Sequence, residues 1–130
     1  MPERIDDLSI TSEELLWRRL HPKWVIHNED GSFRVSSAAF KDGRHEVSVD
    51  IATLTAIEDS LAGFTDQGLA ELQAGVSRSL GHAVVRDPLP ENVAHALICE
   101  PLPLPHSKRE RDAKTMSREA IIIRMPLFLD

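Results

Sequence analysis

Val47, Val49 and Ile51 alternate with Glu46, Ser48 and Asp50, a two-residue period that predicts a half-buried strand over His45 to Ile51. Two extended-looking runs precede it, Trp24 to Glu29 and Phe33 to Phe40. The junctions carry Asp30-Gly31 and Asp42-Gly43. Asp-Gly between such runs is a strong hairpin signal, because a type I′ turn needs positive φ at both central residues. The pattern predicts a three-stranded antiparallel meander, but its register stays open. With two tight turns, Arg34 and Ser36 share a face with Val47 and Val49. With a longer second turn, Phe33 and Val35 take that place, since a one-residue slip exchanges the faces.

Helical spacing is read elsewhere. Thr11-Ser12-Glu13-Glu14 has the form of a capping box and predicts a short helix through Leu20. Pro22 ends it by pushing His21 out of the helical region. Thr53 or Thr55 can cap a helix to about Ala62, stopped by Gly63. Asp66 can cap another, with Leu69, Leu72, Val76 and Leu80 at helical spacing and Gly81 as its stop. His82 to Val85 and Ala94 to Cys99 read as strands. Three alternating prolines, Pro101, Pro103 and Pro105, make a connector. Ser107 to Glu119 is a charged helix, and Ala120 to Ile123 a last strand apolar enough to be central.

The elements predict an α+β fold: an antiparallel sheet of about five or six strands with a meander in the first half, and three or four helices. Residues 1–10 are polar and read as a loose segment. Residues 11–130 read as a single globular domain.

The formal net charge is -6, which argues against a DNA or RNA partner, since phosphate contacts need a basic footprint. No apolar run approaches the length of a membrane span, and the acidic N-terminus lacks a signal-peptide core. No membrane association is expected, and a cytoplasmic location is. Cys99 stands alone, which excludes a disulfide framework and a multi-cysteine zinc site. The six histidines have no compact ligand spacing, so no metal site is expected. No motif specifies a cofactor.

Polar groups concentrate in Arg86 to His95, where Pro88 and Pro90 fix φ and remove two donors. That stiff loop presents Asn92 and His95. It reads either as a site or as a rigid turn in which Asp87 and Asn92 bond their own backbone. A His95–Cys99 dyad fails on geometry, because positions four apart on a strand lie ~13 Å apart. Arg18, Arg19, His21 and Lys23 form a basic cluster, either a cationic helix end or an anion grip. The candidate catalytic residues are His21, His95 and Ser36. The candidate ligand-binding residues are Arg18, Arg19 and Asn92.

The segments Leu16-Trp17-Arg18-Arg19-Leu20-His21-Pro22, Ser36-Ser37-Ala38-Ala39-Phe40-Lys41-Asp42, Val47-Ser48-Val49-Asp50 and Asp87-Pro88-Leu89-Pro90-Glu91-Asn92 resemble small uncharacterised bacterial proteins. The resemblance implies a bacterial, intracellular setting and no activity.

These features favour the first of two functions, since the chain is small and acidic and carries no catalytic motif. The first is an accessory or interaction module with a protein partner, which predicts scattered polar groups and an exposed apolar patch. The other is a small enzyme or nucleotide-binding domain, of transferase or hydrolase type. It needs Arg19 or His21 within reach of His95 across one pocket.

Overall fold

In a computed structural model the described residues are 5–128. Six strands form one sheet: β1 (Leu15–Leu20), β4 (Glu46–Ile51), β5 (Gly68–Gln73), β6 (Ala83–Arg86), β7 (His95–Cys99) and β8 (Ile121–Arg124). A separate hairpin pairs β2 (Val25–His27) with β3 (Phe33–Val35). The sheet order is β6-β7-β4-β1-β5-β8, and every pairing is antiparallel. Three helices complete an α+β fold: α1 (Ile57–Ser60), α2 (Ala74–Ser79) and α3 (His106–Glu119).

The core lies on one face. Leu16, Leu20, Val47, Val49, Ile51, Leu72, Val84 and Ile98 pack there against Ala113 and Met116 of α3. The opposite face carries Trp17, Arg19, Asp50 and His95, because successive residues of a strand point to opposite sides.

Thr11 to Leu20 is not a helix. Glu14 N bonds Thr11 O in a turn, and the chain then enters β1 between β4 and β5. Two ladders of tertiary hydrogen bonds override a local capping signal. The Asp66 helix is also replaced. Ala70, Leu72 and Ala74 point into the core at a strand period, and helix begins only at Ala74. Gly81, at φ 91°, does stop it.

The meander is reduced to one hairpin. Val25 pairs Val35 and His27 pairs Phe33 across a five-residue loop, so the first turn is the wider one. β3 does not pair with β4. Ser36 instead caps a 3-10 turn over Ser37–Phe40, accepting from Ala38 N at 3.2 Å. Asp42 then builds an Asx turn, with Oδ1 accepting from Arg44 N at 2.7 Å. Positive φ falls on His45, not on Gly43.

The strands around the proline loop, the connector and the long helix form as expected. The last strand differs: β8 is a sheet edge, with Ile121 63% exposed. Part of the segment expected to be loose is held. Asp7 N bonds Val84 O at 2.9 Å, Asp6 Oδ1 accepts from Val84 N at 2.8 Å, and Ile10 is fully buried. Residues 1–4 of that segment lie outside the described residues. No helix among the described residues is long and apolar enough to cross a membrane.

Candidate functional site

Because β1 is a strand, its two adjacent arginines part company. Arg18 enters the core face, where Nε donates to Ala39 O at 2.8 Å and Nη1 to Ser48 O at 3.0 Å. Its guanidinium lies 5.2 Å from the Trp24 ring centroid. Burial pushes its pKa down to about 10, which still leaves it charged near neutrality. Arg18 is therefore a structural cation rather than a ligand grip. His21 is spent on the neighbouring turn: Nδ1 accepts from Lys23 N at 3.1 Å. Ser36 is spent as a cap. None of these three lines the cavity described next.

Arg19 points the other way. With Asn92 and His95 it lines an open cavity of about 620 Å³, shared with Leu54, Phe64 and Leu89. Beneath these residues sits Asp50, only 2% exposed. Asp50 Oδ1 accepts from Asn92 Nδ2 at 2.8 Å, and Oδ2 accepts from the Ser60 hydroxyl. Arg19 Nη1 lies 3.7 Å from Asp50 Oδ2 and donates to Ser60 O at 3.1 Å. The guanidinium also lies 4.1 Å from the Phe64 ring centroid. A buried carboxylate needs partners of this kind, and Asp50 thereby joins β1, β4, α1 and the proline loop.

The loop itself is the connection of the β6–β7 hairpin. Asp87 N bonds His95 O at 2.9 Å, and Leu89 and Asn92 exchange backbone bonds of 3.0 Å each. Asn92 fits the rigid-turn reading and also ties the loop to the sheet. Its Oδ1 accepts from Ala94 N two residues on, at 3.2 Å, while its Nδ2 reaches Asp50.

His95 is 8% exposed. Its Nδ1 lies 3.0 Å from Asp87 O and 3.0 Å from Asp87 Oδ2. A carbonyl and a carboxylate only accept, so Nδ1 must carry the proton. The neutral ring then has its lone pair on Nε2, which has no partner among the described residues. It is not sealed either. Glu14 Oε2 is the one fully enclosed side-chain oxygen or nitrogen lacking a partner among those residues. His95 is itself one of the residues that line the cavity. A histidine oriented by a carboxylate, with its other nitrogen open, has the arrangement of a general base.

The electrostatic balance was not legible beforehand. Asp59 and Glu91 line the cavity, Asp50 lies below it and Asp87 behind His95, against the single guanidinium of Arg19. Asp50 and Ser60 were not singled out from sequence. Asp50 looked like the solvent side of an amphipathic strand. Among the described residues no group of three or more His, Cys, Asp or Glu side chains could hold a metal ion. Cys99 is buried at the far end of the strand that begins with His95. No protein-family model, curated protein or solved structure matches the chain.

Proposed function

We propose that the chain is a small enzyme of hydrolase or transferase type, with His95 as general base in the Arg19–Asn92–His95 cavity. The observation that supports this is the Asp87–His95 pair, whose ring lines the same cavity as Arg19. In this reading Nε2 takes a proton from water or from a substrate hydroxyl. Asp87 keeps the ring in the tautomer able to do so. Asp50 holds the Arg19 and Asn92 side chains at fixed positions in the wall. The Ser60 hydroxyl is committed to Asp50 and the Thr55 hydroxyl donates to Ala56 O at 3.3 Å. Attack by water or a substrate hydroxyl therefore suits the site better than a covalent intermediate. Four carboxylates around one guanidinium favour a neutral or cationic substrate over an anion. The bacterial, cytoplasmic setting belongs to the same proposal and rests on the resemblance of the quoted segments.

The test is a hydrolysis and transfer screen of neutral and amine-bearing esters and amides. Turnover by the wild-type chain should fall by about 10²- to 10⁴-fold in His95→Gln. Turnover that survives His95→Gln, or none on any substrate, sinks the reading.

A second reading, an interaction module, is favoured by a different observation. Phe33, Ile121 and Met125 are 44%, 63% and 37% exposed and line one groove between the hairpin and β8. It predicts a defined protein partner whose binding is lost in Ile121→Asp while the enzyme screen stays silent.

A further inference from the structure

On the helix side of the sheet a separate cleft of about 300 Å³ lies between α3, β4 and the turn around Asp42. Its floor is Phe40, Val47, Ile98 and Met116, all part of the hydrophobic core. One polar side chain interrupts that floor: His82, only 9% exposed. His82 Nε2 lies 2.7 Å from Asp112 Oδ2, which also accepts from Lys108 Nζ at 2.7 Å. Burial opposes the charge on Asp112, yet the bonds from Lys108 and His82 hold its carboxyl below the ordinary range. A carboxylate only accepts, so His82 Nε2 carries a proton, and in the neutral ring Nδ1 keeps the lone pair. Nδ1 has no partner among the described residues, and it is not enclosed. In the neutral ring it is an open acceptor on a mostly buried side chain that lines the cleft. The tautomer is the reverse of that at His95.

Two ion pairs stand at the mouth of the cleft, beside the carboxylate of Asp42. Arg109 Nε meets Glu100 at 2.6 Å, and Lys41 meets Glu110 at 2.6 Å. His45 faces the same Glu100 at 3.9 Å, and His106 the same Glu110 at 3.5 Å. The paired charges leave little field of their own, and the carboxylate of Asp42 disfavours an anion. An apolar floor with one polar group that fixes orientation is the usual composition of a small-molecule site, and this volume is at the small end of that class.

We propose that this cleft binds a small, neutral, mostly apolar molecule that donates one hydrogen bond to His82 Nδ1. A ring bearing an N–H or a phenolic O–H meets each demand: area for Phe40, Val47 and Met116, no charge at the mouth, and a donor for the open lone pair. Ligands with the same outline but no donor leave Nδ1 unsatisfied and bind less well.

Indole and 1-methylindole are the probes, titrated by calorimetry into the full chain. Indole should bind saturably, and 1-methylindole about tenfold more weakly, the worth of one hydrogen bond. His82→Phe, if folded by circular dichroism, should erase that preference. In the wild-type chain, which needs no variant, indole should shift the ring ¹⁵N resonances of His82 and leave those of His95 in place. Absence of saturable indole binding, equal affinity for the two probes, or shifts at His95 in place of His82 would each overturn the proposal.

Discussion

Asp50 and His95 are cross-strand partners on β4 and β7, side by side on the face turned away from α3. Each is buried, and each is held by groups from other parts of the chain. Asp50 is held by Arg19, Ser60 and Asn92, and His95 by Asp87. One member of the pair is saturated and the other keeps an open nitrogen. That division assigns Asp50 to the framework and leaves His95 as the residue on which the proposed chemistry rests.

Asp50→Ala should therefore be costly to the fold. It leaves Arg19 without its counter-ion and removes an acceptor from Asn92 and Ser60. Breaking a buried charged pair by removing one partner costs about 3–5 kcal/mol. Urea unfolding would measure it. A loss below about 1 kcal/mol would show that Asp50 does not organise this end of the sheet.

Adjacent arginines make a second contrast. Arg18→Met strands the Ala39 and Ser48 carbonyls that the guanidinium now satisfies. A loss of about 2–4 kcal/mol follows, since each bond from a charged donor is worth about 1.5–3 kcal/mol. Arg19→Met should weaken ligand binding in the cavity more than Arg18→Met does. Thermal unfolding and binding, measured on both variants, distinguish the roles.

The same arginines explain much of what the sequence concealed. Leu16, Arg18 and Leu20 share the core face of β1, and the Arg at the middle position breaks the apolar alternation that would have announced a strand. A capping-box pattern at Thr11 then pointed to a helix. Residues 66–80 misled in a related way, because Leu72 and Val76 straddle a strand-to-helix junction yet fall four apart. Local signals succeeded where nothing competed: Gly81 as a stop, the triple-proline connector, and the charged helix before β8. Of the candidate site residues, Arg19, Asn92 and His95 converge, while Arg18, His21 and Ser36 serve the framework. Asp50 was hidden because half-buried strands with an alternating charge usually turn it to water. Only the third dimension supplies its cover.

Acid should expose the Asp112 and Glu100 ion pairs. Burial works against both charges, yet Lys108 and His82 for Asp112, and Arg109 for Glu100, lower both carboxyls from their ordinary values. The unfolded chain then binds more protons in that range, so stability falls as pH falls. The contribution is complete above about pH 5 and is lost on descending through the lowered folded values, below about pH 4. Asp112→Asn should be less stable than wild type at pH 7, and the gap should narrow by pH 3. Urea midpoints across that range check the sign. A gap constant with pH would remove Asp112 as a source of acid sensitivity.

Gly68 is a position where only hydrogen fits. A Cβ there would come within 2.7 Å of Pro126 N and nearer still to the Arg124 carbonyl, both backbone atoms. Gly68→Ala should loosen β8 from β5 and raise amide exchange at Ile122 first. Unchanged protection of β8 would contradict this packing.

The tautomer of His95 bears most directly on the proposed chemistry, and long-range ¹H–¹⁵N spectra of the histidine rings at about pH 8, where an ordinary imidazole is neutral, report it. The account predicts a protonated Nδ1 and an unprotonated Nε2 at His95, with Asp87→Asn disturbing that state and Asp112→Asn leaving it alone. A proton on Nε2 in the neutral ring, or a rapidly averaging mixture of the two tautomers, would contradict it.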